Sequence, residues 1–160
     1  MIPPETTSMP LPSMLKTSLR VSLLLSALFD REGMAVAEVN AGGLLSGWLD
    51  NADPEGEIFY GGWVLSRHHR WTRGQDTTPS KDVKQEGLRL ATELCTIIDA
   101  DIGLAAINSG PDVTYMVAVY EDEVYDRTMR FRGYDSHSES WIASMSLDLV
   151  RRMCLGLLRQ

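Results

Sequence analysis

The stretch from Met34 to Gly43 does most to limit what this chain can fold into. Met34-Ala35-Val36-Ala37 is a short apolar run that reads as a buried strand, and Leu44-Leu45-Ser46-Gly47-Trp48-Leu49 reads as the start of a helix. Between them lie Glu38, Val39, Asn40, Ala41 and the paired glycines Gly42 and Gly43, so the glycines fall at a strand-to-helix junction. Glycine there permits positive φ and close backbone approach, and the first N–H groups of a helix form a site for an anion or oxyanion. A lone Gly-Gly also serves as a plain tight turn.

The rest of the chain alternates strands and helices. A helix is expected from about Leu11 to Glu32, stopped at Gly33, followed by a strand over Met34–Val39 and a helix over Leu44–Asp50. Asn51-Ala52-Asp53-Pro54-Glu55-Gly56 is dense in turn formers, and Glu57–Ser66 reads as an aromatic-rich strand. Pro79-Ser80 opens a helix running to about Asp99, with Leu88, Ala91, Leu94, Cys95 and Ile98 on one face. Ile102–Ile107 is a further buried strand. Val113–Tyr120 and Val124–Phe131 form a hairpin around the acidic turn Glu121-Asp122-Glu123, and a last helix spans about Ser138–Leu158. This order predicts a single-domain α/β/α sandwich with a mixed sheet over residues 13–160. Ahead of it, residues 1–12 carry Pro3, Pro4, Pro10 and Pro12 among Ser and Thr, which suits an extended arm and lacks the order of a signal peptide.

Composition limits the function classes. With 160 residues, of which 44% are hydrophobic, the chain suffices for one sizeable core. A formal charge of −7 argues against general nucleic-acid binding, which favours a basic face. Leu19–Phe29 is apolar but short and is bracketed by Lys16, Arg20 and Asp30, so no membrane span is expected. Cys95 and Cys154 fall in predicted helices without metal-ligand spacing and read as buried reduced thiols, in keeping with a cytoplasmic location. Metal binding is not expected, because adjacent His68 and His69 point to opposite faces of a strand and His137 is remote. Arg67, His68, His69, Arg70 and Arg73 form the one locally basic patch, suited to a phosphate or an acidic partner, or simply a solvated loop. Trp63 and Trp71 could stack on a nucleotide base, although aromatic side chains beside a strand are more often core or interface.

Several of these segments together resemble the C-terminal domain of the CinA family, the nicotinamide-nucleotide amidohydrolases. The family's signature turn reads A-E-S-C-T-G-G, and this chain has Ala37, Glu38, Gly42 and Gly43 in register with Val39, Asn40 and Ala41 between. The family's next strand carries G-x-V-T-Y-S-N-x-x-K, whose tyrosine and lysine assist the nucleophilic serine. Here Gly62-Trp63-Val64-Leu65-Ser66-Arg67-His68-His69-Arg70-Trp71 occupies that register, so Ser66 replaces the tyrosine and Trp71 the lysine. A glycine-rich loop, G-x-A-G-P continuing to K-P-x-G-T-V, lies beside the substrate in the family. This chain has Gly103-Leu104-Ala105-Ala106-Ile107, then Asn108-Ser109-Gly110-Pro111-Asp112, and passes directly into the next strand. Met129-Arg130-Phe131-Arg132-Gly133 with the helix after it resembles the family's last strand and helix.

The resemblance thus implies the family's fold with its reactive groups replaced. Serine-type amide hydrolysis needs a hydroxyl, a base to take its proton, and oxyanion donors. Val39 cannot attack, and the Trp71 indole nitrogen is a donor only. The leading expectation is therefore a non-catalytic, pseudoenzyme-like protein that acts through binding or assembly, with no cofactor, as a homo-oligomer or against another protein. One alternative is an active amidohydrolase with relocated groups, using Ser46 or using Ser66 with His68 two residues on. Another is a sensor that binds a nicotinamide nucleotide without turnover through Asn40, Gly42, Gly43, Asn108, Ser109 and Gly110.

Overall fold

The computed structural model describes residues 33–65, 82–109, 113–130 and 136–158. The expected first helix, the N-terminal arm, the basic patch and the Pro79-Ser80 helix start lie outside these residues.

Five strands and three helices follow one another as β1 (Met34–Val39), α1 (Leu44–Ala52), β2 (Phe59–Leu65), α2 (Val83–Ile98), β3 (Ile102–Asn108), β4 (Thr114–Tyr120), β5 (Glu123–Met129) and α3 (Ser136–Cys154). The strands form one sheet in the order β2-β1-β3-β4-β5. β1 pairs in parallel with both β2 and β3, whereas β3–β4 and β4–β5 are antiparallel, so the sheet is mixed as expected. Every residue of β1 and of β3 is buried, which is why both read as continuous apolar runs rather than alternating ones.

Two apolar layers flank the sheet, and the strand alternation feeds them. Met34, Val36, Leu104, Ala106, Met116 and Ala118 pack with Leu45, Leu49, Ile142, Leu149 and Val150 of α1 and α3. Ala35, Ala37, Val39, Ala105, Ile107, Val117 and Val119 pack with Leu90, Ala91 and Leu94 of α2 on the other face. The molecule is therefore an α/β/α sandwich. Small residues set the spacing between α2 and the sheet: a β-carbon on Gly103 would lie 2.0 Å from the Ala91 carbonyl oxygen, so only glycine lets the helix backbone approach this closely.

Several boundaries differ from those expected. α1 runs to Ala52, and β2 begins at Phe59 rather than Glu57. Asp53 accounts for the delayed start: its carboxylate accepts from the N–H groups of Glu57 (3.2 Å), Ile58 (2.7 Å) and Phe59 (2.7 Å), which holds those residues in a turn. The N-cap of α2 is Asp82, extended in backbone, with its side chain accepting from the Lys84 N–H at 2.9 Å. The helix accordingly starts at Val83. Its buried face holds Glu86, Gly87, Leu90, Ala91 and Leu94, while Leu88 points outward. Leu88 lies one position off the inner stripe, since 87, 90, 91 and 94 keep the helical spacing, so it does not join the expected core face. Cys154 is buried, but Cys95 is only half-buried, and burial together with the Asp101 charge raises its thiol pKa.

The hairpin turn is shorter than expected, with Glu121 (φ 54°) and Asp122 between β4 and β5, and Glu123 opens β5. Across this hairpin the Tyr115 hydroxyl donates to Asp126 Oδ2 at 2.9 Å. Burial and that carboxylate push the phenol well above its ordinary range. α3 starts two residues earlier than expected, at Ser136, and ends at Cys154, after which residues 155–158 turn around Gly156.

Candidate active site

The turn after β1 has an unusual backbone. Asn40, Gly42 and Gly43 all have positive φ, at 54°, 77° and 76°. Glycine adopts this region without cost, and asparagine is among the side chains that tolerate it best. Asn40 is also fixed on both sides: its backbone N–H donates to the Leu65 carbonyl at 3.0 Å, and its side-chain amide donates to the Asn108 carbonyl at 3.2 Å. One residue thereby ties the end of β1 to the ends of β2 and β3. The carboxyl ends of adjacent parallel strands are where ligands collect in α/β sheets.

α1 begins at Leu44 with Gly43 as its N-cap, and no cap side chain bonds to the helix. Glu38 takes over that task from the preceding strand. Its carboxylate is 1% exposed and accepts from the Leu45 N–H (3.1 Å), the Ser46 N–H (3.0 Å) and the Ser46 hydroxyl (2.6 Å). A negative charge at a helix start is favoured by the aligned peptide dipoles, and bonds to a charged acceptor are stronger than neutral ones. Two of the first donors of this helix, the N–H groups of Leu45 and Ser46, are thus filled by the chain's own carboxylate.

A second carboxylate closes over the same turn. A β-carbon built on Gly42 would lie 2.4 Å from both the carboxyl carbon and an oxygen of Glu139, which reaches across from the first turn of α3. On the other side, a β-carbon on Gly43 would lie 3.2 Å from a methyl of Val64. The turn is therefore walled by acid and hydrocarbon. Nothing in the local sequence pairs Glu139 with Gly42, since the two are brought together only when α3 packs on α1.

Val39 is 6% exposed and packs with Ala37, Leu90 and Leu94 on the α2 face of the sheet. Asn108 (2% exposed) pairs across β3–β4 with Thr114 (1% exposed), and Asn108 Oδ1 and Thr114 Oγ1 are buried without a hydrogen-bond partner among the described residues. The Ser109 N–H and hydroxyl both donate to the Val113 carbonyl, at 3.0 and 3.1 Å, closing the loop between those strands. Of the expected site, Val39, Asn40, Gly42, Gly43, Asn108 and Ser109 thus gather at one end of β1 and β3, while Ser66, Trp71 and Gly110 lie outside the described residues. Among the described residues no group of three or more His, Cys, Asp or Glu is placed to hold a metal ion. No described helix is long and apolar enough to cross a membrane.

No protein-family model matches the chain, and comparison with curated protein sequences gives no match. Solved structures do match. A competence-damaged protein (CinA) superfamily protein from Klebsiella pneumoniae superposes with a TM-score of 0.76 at 17% identity, over 88% of this chain and 98% of that one. A competence or damage-inducible protein from Enterobacter asburiae gives 0.74 at 22% identity, over 86% and 98%. A competence/damage-inducible protein from Agrobacterium tumefaciens gives 0.61 at 16% identity, over 88% and 94%. Their nearly complete coverage, together with the mixed sheet and its flanking helices, shows that this chain has the fold of the CinA superfamily.

Proposed function

We propose that this chain is a non-catalytic protein built on the CinA C-terminal fold, acting through binding or assembly with another protein or with further copies of itself. The observation that carries the reading is Val39, a buried hydrocarbon side chain where the resembled family has its nucleophilic serine. The Ser46 hydroxyl is itself committed to Glu38, which weighs against Ser46 as a relocated nucleophile.

The sensor reading draws on a separate observation, Asn108 Oδ1 and Thr114 Oγ1, which have no partner among the described residues. Buried polar atoms without partners are uncommon, and a ligand donor is one way to satisfy them. The phosphate of a nicotinamide nucleotide fits this end of the sheet less well, since Glu38 and Glu139 both flank the turn and like charges repel.

Ammonia release from nicotinamide mononucleotide, measured beside a thermal-shift titration with the same nucleotide, tests these readings together. We expect neither turnover nor a shift. Turnover would overturn the non-catalytic reading, and a shift without turnover would establish the sensor. Val39→Ser alone is expected to remain inactive, because the resemblance leaves it without the family's tyrosine and lysine. Hydrolysis by that single variant would show that the remaining machinery is intact.

A further inference from the structure

We infer that the C-terminal end of α3, with Arg127 of β5 beside it, docks an acidic segment of a partner protein that carries apolar side chains between its carboxylates. This rests on the assembly reading above and names the partner's chemistry. Lys84, Arg89, Arg127, Arg130, Arg151 and Arg152 are the lysines and arginines among the described residues, and three of them converge on one aspartate. Arg151 Nη2 donates to Asp148 Oδ1 at 3.0 Å, and Arg152 Nε lies 2.9 Å from Asp148 Oδ2. Arg127 Nη1 lies 3.7 Å from that same oxygen, beyond hydrogen-bond reach.

Arg89 shows what a saturated arginine looks like in the same chain. Its Nε and Nη2 bond Glu86 at 3.1 and 2.6 Å, and its Nη1 bonds Glu93 at 2.8 and 2.9 Å, so two carboxylates face one guanidinium. At Asp148 the ratio is inverted. One carboxylate offers about four acceptor positions against roughly fifteen N–H groups on three guanidiniums. Most of those donors are left for an outside acceptor, and the cluster keeps a local positive excess in a chain of formal charge −7. The arginine side chains are 25%, 34% and 45% exposed, held by the fold yet open to a partner.

An apolar half adjoins the arginines. Gly156 (φ 67°) closes the helix so that the Leu155 N–H bonds the Arg151 carbonyl at 3.0 Å and the Leu157 N–H bonds the Arg152 carbonyl at 2.9 Å. Leu155 and Leu157 are thereby tied to the turn that carries the arginines, and they are 52% and 62% exposed. Charge selects the occupant. A basic segment would be repelled here, whereas an acidic one is drawn where cations outnumber carboxylates, and arginine forks pair well with carboxylates. A lone phosphate would use the arginines and leave the leucines uncovered. The surface is also separate from the turn after β1, because Asp148 lies about 13 Å along α3 from Glu139 at the helical rise.

Fluorescence anisotropy of the full chain with a short labelled peptide of alternating glutamate and leucine, and with its glutamine counterpart, tests the inference. The glutamate peptide is expected to bind, more weakly as salt rises, and the glutamine peptide is not. Arg152→Gln is expected to raise the dissociation constant about tenfold, whereas Lys84→Gln, an equal change of charge at an exposed site on α2, leaves it unchanged. Leu157→Ser is expected to raise it about fivefold. Asp148→Asn is expected to lower it about threefold by removing the competing carboxylate, a gain that a purely structural cluster would not give. A glutamate peptide that fails to bind, that is matched by the glutamine peptide, or whose binding survives both Arg152→Gln and Leu157→Ser overturns this surface and leaves the non-catalytic reading standing. Turnover of nicotinamide mononucleotide by a chain that still binds the peptide would overturn that reading and not the surface.

Discussion

Glu38 shows how a side chain can carry a role that its sequence neighbourhood does not announce. Helix caps are sought at the residue just before the helix, which here is Gly43, and the capping oxygen instead arrives from the preceding strand. In sequence Glu38 matches the family turn, yet nothing beside it marks it as the acceptor for the Leu45 and Ser46 N–H groups. The positive φ values at Gly42 and Gly43, by contrast, were legible, because a glycine pair between an apolar run and a helix has few other uses. Glu139 was invisible for a physical reason: its contact with Gly42 exists only in the packed molecule. Glu38→Gln keeps the side-chain volume while removing the charge and turning an amide donor toward N–H donors. It is expected to lower unfolding stability by about 1.5–3 kcal/mol, read from urea denaturation, the usual worth of a buried bond to a charged group. Ser46→Ala, which removes one donor and leaves the two backbone bonds, should cost about 1 kcal/mol. Equal effects of the two variants would show that the charge of Glu38 contributes nothing to the helix start.

At the level of elements, the strands were easier to read than the helices. β1 and β3 are apolar on both faces and short, and flanking turn formers mark their ends, so the expected and observed spans agree to within a residue. Helix faces depend on phase, and a one-residue error in α2 moved Leu88 onto the core stripe although Leu90 and Leu94 fill it. The start of β2 could not be read either, because Asp53 bonds backbone groups up to six residues ahead. The corrected phase makes a direct prediction. Leu94, fully buried against Ala37, Ala105 and Val117, should lose about 2–5 kcal/mol on replacement by alanine. Leu88→Ala should stay within about 0.5 kcal/mol, as exposed substitutions usually do. Urea denaturation of the two variants checks this, and comparable losses would return Leu88 to the core.

Over the whole molecule, an acidic chain holds its last helix to the sheet partly with carboxylates that acid will neutralise. Asp148 of α3 bonds Arg151 at 3.0 Å and Arg152 at 2.9 Å, and lies 3.7 Å from Arg127 on β5. Burial alone would raise its pKa, but the three arginines outweigh burial and hold it below the ordinary value. Asp53 behaves alike, with burial outweighed by the N–H groups of Phe59, Ile58 and Glu57. For both groups the folded pKa lies below the unfolded one, so their contribution is complete above the unfolded value of about 3.9 and is lost as pH falls through the folded value. Stability is therefore expected to hold between neutral pH and about pH 5, as far as these two groups control it, and to fall below about pH 4. Asp148→Asn should cost no more than about 1 kcal/mol at pH 7, because its partners are partly solvated. The gap between the variant and the unaltered chain should then close on acidification, since the protonated aspartate no longer differs in charge from asparagine. Urea midpoints for the two proteins across this range decide the matter: a gap that stays constant to pH 3 would mean that Asp148 acts through packing or neutral hydrogen bonds and not through its charge.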